Sequence, residues 1–101
     1  MIRHVVTFAL KEDTSADDLR EVEEALGKLP GLIPELVSYE FGRDLGLNAG
    51  NGGFAVTALV EKPEYVGSYL DHPEHLRIRH EILGPHVAGK TAVQFAVPDR
   101  D

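Results

Sequence analysis

From Ile2 to Leu10 the chain alternates, with Ile2, His4, Val6, Phe8 and Leu10 on one face of an extended segment and Arg3, Val5, Thr7 and Ala9 on the other. A side-chain period of two with β-branched enrichment predicts a strand over these residues. The period then lengthens. Leu19, Val22, Leu26 and Leu29 recur at helical spacing, and Thr14 and Ser15 stand three residues before Asp17 and Asp18, a capping pattern. A first helix is predicted over about 15–29, stopped by Pro30-Gly31. Val37, Tyr39 and Phe41 alternate with Ser38 and Glu40 in a second strand ending near Gly42-Arg43, and Phe54, Val56, Ala58 and Val60 mark a third. Between them Asn48-Ala49-Gly50-Asn51-Gly52-Gly53 is turn chemistry that tolerates positive φ, so the two strands read as a hairpin. Pro63 suits a first helical position, and Tyr65, Val66, Tyr69 and Leu70 share one side of a helix that ends at Asp71-His72. Pro73 starts a second piece in which His75, Ile78 and Ile82 form a stripe flanked by Leu76 and Leu83, closed by Gly84-Pro85. Val93, Phe95 and Val97 alternate in a final strand, and residues 99–101 form a polar tail after a single domain over 1–98.

The order β-α-β-β-α-β predicts an α+β, ferredoxin-like fold, a four-stranded antiparallel sheet with both helical segments on one face. Its other face needs cover. Strands one and three are apolar on both sides (Val5 and Ala9; Ala55 and Leu59), so the uncovered face presents a patch that marks an interface. A two-fold homodimer that rolls two sheets into one dimeric α/β barrel is the simplest expectation.

Composition narrows the function. With 101 residues there is room for one core and one kind of site. Ten Lys and Arg against seventeen Asp and Glu give a formal charge of −7 with no basic cluster, which argues against nucleic-acid binding. No stretch approaches the ~18 apolar residues of a membrane helix. The apolar run Val5 to Leu10 lacks a small-residue cleavage site and runs into Lys11-Glu12-Asp13, so it reads as a strand and not as a signal segment. Without cysteine there is no disulfide framework and no thiolate, and the expected compartment is the cytoplasm. The glycine cluster at 50–53 lacks the Lys-Ser/Thr of a phosphate loop and precedes a strand, which argues against a nucleotide.

The candidate chemistry lies on the broken helix. His75 falls in the first turn after Pro73, on the stripe with Ile78 and Ile82, and Tyr69 shares a side with Tyr65 and Val66. Both should point inward. Partial burial and the positive end of the helix disfavour the imidazolium, leaving a neutral imidazole able to accept a proton. With a carbonyl compound between them, His75 would take an acidic α-proton while the Tyr69 hydroxyl donates to the developing enolate. His4, beside Val6 and Phe8, would orient the ligand or a water. Each position also has a plainer reading: a helix-start histidine as a cap or buried-network residue, an aromatic on a helical stripe as core, a strand histidine as a satisfied pocket residue. His72 and His75 are spaced like some metal ligands, but a residue before proline leaves helical geometry, and no third ligand is apparent. Neither a metal nor another cofactor is expected, and His80 and His86 are assigned no role.

Three segments carry a family resemblance. Met1-Ile2-Arg3-His4-Val5-Val6, then Pro34-Glu35-Leu36-Val37-Ser38-Tyr39-Glu40-Phe41-Gly42-Arg43, then Tyr69-Leu70-Asp71-His72-Pro73-Glu74-His75 resemble, in order and spacing, the stress-responsive A/B barrel domain (Dabb) family. The resemblance implies the dimeric barrel. It also implies a small-molecule ligand pocket between helices and sheet, since the family includes plant stress proteins and polyketide cyclases that close a linear polyketide by aldol chemistry without a metal. A tyrosine and a histidine that act in those cyclases match Tyr69 and His75, and a first-strand histidine matches His4. Leu26 and Phe54 replace a tyrosine and a histidine of the cyclase pocket, which implies a smaller, more apolar cavity shaped by Leu26, Phe54, Tyr39 and the 44–53 loop. The readings left open are a cofactor-free cyclase, isomerase or lyase for β-keto or phenolic compounds, a non-enzymatic ligand-binding or stress dimer, a structural dimer, and a cofactor-free monooxygenase of the related fold.

Overall fold

A computed structural model describes residues 1–99. Four antiparallel strands, β1 (Ile2–Leu10), β2 (Ser38–Arg43), β3 (Phe54–Val60) and β4 (Val87–Ala96), lie in the order β2-β3-β1-β4, and the helical segments cover one face, the predicted ferredoxin-like arrangement. Helix α1 (Ala16–Gly27) starts from a complete capping box: Ser15 Oγ accepts the Asp18 N–H at 3.0 Å, and the Asp18 carboxylate accepts the Ser15 N–H at 2.9 Å. Its apolar stripe buries Val22, Ala25 and Leu26.

The helix ends slightly earlier than the periodicity predicts, and Pro30-Gly31 does not end helical structure. Instead a separate turn, α2 (Leu29–Leu32), carries the proline near its start, where the missing N–H has no partner to lose. This turn drops Leu29 and Ile33 into the core with no exposed surface. The second helical segment breaks at His72-Pro73 as expected, into α3 (Pro63–Leu70) and α4 (Pro73–Arg77). Beyond α4 the helix does not simply continue. Residues Ile78–Leu83 form a π-helical turn, whose wider winding brings Ile78 and Leu83, five apart, into the same core. The Gly84 N–H closes it on the Arg79 carbonyl, and a Cβ at position 84 would stand 2.2 Å from that oxygen, so only glycine fits.

Strand β4 begins at Val87, six residues before the alternating Val93, Phe95 and Val97, and stops at Ala96; Val97 N–H donates to the Met1 carbonyl at 2.9 Å just beyond it. The early half escapes pattern reading for a physical reason: the helices cover β1, β2 and β3 but leave β4 bare, and every residue from Ala88 to Ala96 is exposed. Without a buried face there is no alternation to see. On the face away from the helices the register aligns Val5 with Val93 and Arg3 with Phe95, which are 55 % and 48 % exposed. Among the described residues no helix is long and apolar enough to cross a membrane. Asp99 of the predicted tail accepts from the Met1 ammonium at 2.9 Å, while Arg100 and Asp101 lie outside the described residues.

Candidate functional site

One row of the sheet organises the polar groups. Tyr39 on β2, Ala58 on β3, His4 on β1 and Gln94 on β4 are paired in register across all four strands, so their side chains rise on the helix-covered face. The row is large, small, large. Ala58, fully buried, leaves a gap between Tyr39 and His4, and Tyr69 descends from α3 against both neighbours, with ring centroids 5.6 Å from Tyr39 and 6.1 Å from His4. The two phenols bond to one another at 2.8 Å.

His75 joins from above. His72 takes extended geometry (φ −61°, ψ 135°) and its Nδ1 accepts the Glu74 N–H at 3.1 Å, capping α4 with Pro73 at the first position. The capped turn swings His75 back over Tyr69, ring centroids 4.6 Å apart, and His75 Nδ1 lies 2.9 Å from the Leu70 carbonyl. A carbonyl only accepts, so Nδ1 carries the hydrogen and Nε2 of the neutral ring keeps its lone pair. The pairing of His72 and His75 in sequence is therefore a capping device, with His72 turned to the backbone.

Burial sets the ionisation of the cluster. It lowers His75 below the ordinary histidine value, aided by the charges of Arg79 and Lys90 and by His4, against the opposing bond to Leu70. His4 is lowered by burial and then by Lys90. Burial pushes Tyr69 up to about 12, partly offset by the bond from Tyr39. Tyr39 is raised further, by burial and then by its neighbour Tyr69. Either phenol can donate to the other; with Tyr39 donating, the Tyr69 hydrogen is left for a ligand, and all four groups are neutral at neutral pH.

The two histidines impose a pH dependence. The unfolded chain takes up protons near pH 6.5 while the folded His4 and His75 take theirs lower, so the unfolded state binds more protons between those limits. Their contribution is complete above about pH 6.5 and is lost as pH falls through the depressed values. Thermal unfolding from about pH 7.5 to about pH 5 should show a declining midpoint, and His4→Gln with His75→Gln should flatten the decline. An unchanged slope in the double variant would refute this origin.

The structure brings Tyr39, His4, Tyr69 and His75 together, but it distributes the other predicted pocket residues differently. Leu26 and Phe54, each 2 % exposed, belong to the apolar core. Phe54 lies four residues along β3 from Ala58, about 13 Å at strand spacing, and it stacks on Phe41 at 6.4 Å. There it borders a hollow of about 460 Å³ under Leu45 and Leu47 of the β2–β3 loop. A groove of about 490 Å³ lies nearer the polar row, between α3 and the β1–β4 edge, bordered by Ile2, Val66, Leu70, Gln94, Phe95 and Ala96. Neither hollow is bordered by Tyr69 or His75; the groove reaches the cluster only through Leu70, whose carbonyl holds His75, and Gln94, whose amide meets His4. Gln94 escapes sequence reading because it sits unremarked between Val93 and Phe95, and only the β1–β4 register sets it opposite His4.

Known proteins share this fold. A dimeric ferredoxin-like protein from Thermobifida fusca is 44 % identical, with a TM-score of 0.88 over 95 % of this chain and 90 % of that one. A hydroxynitrile lyase from Passiflora edulis is similar in fold at 18 % identity, with a TM-score of 0.81 over 99 % of this chain and 95 % of that one. The Arabidopsis thaliana stress-response A/B barrel domain-containing protein HS1 is 24 % identical over 85 residues, 82 % of this chain and 78 % of the relative. With residues 2–97 matching the stress responsive A/B barrel domain and the His4, Tyr69 and His75 segments inside that match, the chain belongs to the stress responsive A/B barrel domain family.

Proposed function

We propose that this chain is a homodimer that binds a small hydrophobic, aromatic or β-keto ligand in the groove between α3 and β1–β4 and acts on its carbonyl without a cofactor. The dimer is supported by the apolar outer face and by the dimeric description of the Thermobifida fusca relative. The observation that carries the chemistry is His75: its Nδ1–H is held by Leu70, and its Nε2 is a neutral lone pair beside Tyr69. Where the ligand's carbonyl end passes Leu70 from the groove into the cluster, His75 Nε2 removes an α-proton, the electron pair moves onto the carbonyl oxygen, and the Tyr69 hydroxyl donates to that oxygen. The proton returns to the same or a neighbouring carbon, giving isomerisation, or the enolate carbon attacks a second carbonyl, whose oxygen takes the proton from His75 as the ring closes. That the fold also serves a hydroxynitrile lyase supports an enzyme by analogy of fold alone.

A second reading rests on a different observation. Tyr69 is buried, bonded to Tyr39, and borders neither hollow, as in a protein that binds its ligand without transforming it. Leu70, the wall between groove and cluster, separates the two readings. We expect β-keto and phenolic compounds to raise the unfolding midpoint by mass action. The wild type should turn at least one of them over, and His75→Ala should keep the binding and lose turnover by two or more decades, on the order of a general base's worth. Stabilisation without product in the wild type selects the binding-only reading, and no stabilisation by any compound leaves a structural dimer.

A further inference from the structure

His4 and His75 are turned in opposite senses by their partners. His75 donates from Nδ1 to the Leu70 carbonyl; His4 Nδ1 instead lies 2.9 Å from the Nε2 of Gln94. An amide nitrogen has hydrogens and no lone pair to offer, so the contact works only with Gln94 donating and His4 Nδ1 accepting. In a neutral ring the hydrogen then sits on His4 Nε2. Both rings pack on Tyr69, at 6.1 Å and 4.6 Å.

We infer that Gln94 is a positioning residue that holds His4 as a hydrogen-bond donor, so that the site pairs a donor imidazole, His4, with an acceptor imidazole, His75, around Tyr69. Such a pair suits a substrate whose carbon loses a proton while a neighbouring oxygen gains charge: His75 Nε2 takes the proton, and His4 Nε2–H and the Tyr69 hydroxyl stabilise the oxygen. The functional consequence rests on the acid/base reading above; the assignment of Gln94 does not. Gln94 is also the polar member of the groove lining, with its Oε1 and second N–H unused by His4, so the residue that orients His4 can also meet a polar group of the ligand. Among charged and titratable neighbours, Lys90 on β4 acts on both rings, and Arg79 on the π turn and His4 act on His75, all of which favour the neutral rings.

The test is long-range proton–nitrogen NMR of the imidazoles in the full-length protein, with turnover measured alongside. The wild type should show His4 hydrogenated on Nε2 and His75 on Nδ1. In Gln94→Glu the carboxylate can only accept, so His4 should switch to the Nδ1–H form and titrate at higher pH, while His75 keeps its tautomer and the exposed position leaves the fold intact. Gln94→Leu should remove the hold without adding charge and lower turnover by about tenfold, one hydrogen bond's worth. A wild-type His4 hydrogenated on Nδ1, or a tautomer and titration unmoved in Gln94→Glu, overturns the inference. If the tautomers behave as stated and the wild type has no turnover on any compound, the acid/base reading fails and Gln94 still orients His4.

Discussion

Phe95→Asp is expected to convert the dimer into a monomer. Phe95 and Val93 stand about half exposed on the sheet face away from the helices, in register with Arg3 and Val5 of β1. In a paired barrel that face is covered, and a carboxylate placed there loses its water, a cost that the Arg3 guanidinium opposite it across the β1–β4 pair offsets only in part. A fully uncompensated buried charge costs about 3–5 kcal/mol, so with Arg3 nearby the dimer is weakened by at most about two to four decades in Kd. Light scattering on a sizing column reads the mass directly. Glu24→Lys, on the exposed side of α1, should leave the dimer unchanged. A Phe95→Asp protein that keeps its dimeric mass at the same concentration, or a wild type that is itself monomeric, removes the proposed assembly. Because Phe95 also borders the groove, the monomer should bind ligand more weakly than the dimer.

Tyr69 should be the costliest single position in the site. Its ring fills the gap above Ala58 and touches Tyr39, His4 and His75, so Tyr69→Ala leaves a cavity in the middle of the polar row. Truncating a buried aromatic costs about 3–5 kcal/mol. Tyr69→Phe is the more telling change: it keeps the packing, removes one hydroxyl, and leaves the partly buried Tyr39 hydroxyl without its partner, at about 1 kcal/mol, the low end for an unpaired polar group. Adding Tyr39→Phe removes the second polar group as well, so the double variant should recover part of that loss in chemical unfolding. If the two single losses simply add, the phenols are not coupled. In an active wild type, Tyr69→Phe should lower turnover and Tyr39→Phe should do so less, since Tyr39 acts on Tyr69 and not on the ligand.

Much of the fold arises from local chemistry and is legible in the chain. The capping box at Ser15 and Asp18, the hairpin around the glycine cluster, the break at His72-Pro73 and the two-faced apolar character of β1 and β3 each depend on neighbours close in sequence, where hydrogen-bonding capacity and hydrophobic period decide the outcome. The neutrality of His75 and the inward side of Tyr69 are likewise consequences of helical spacing and burial.

Other features come from the register and the packing alone. The row Tyr39–Ala58–His4–Gln94 joins residues from four strands, and a one-residue slip in any pair would turn one of them to the other face. No local pattern encodes that choice; it comes from how the helices seal the sheet. The same holds for the π turn at Ile78–Leu83, which answers to the need to seat two side chains five apart in one core, and for the first half of β4, which has no buried face to leave a pattern. Short-range propensity, written in the order of residues, specifies most of the elements and which side chains could carry chemistry. Which of those side chains meet, that Phe54 and Leu26 go to the core, and that Gln94 faces His4 are settled in three dimensions, because groups far apart in the chain come together only after the sheet has chosen its register.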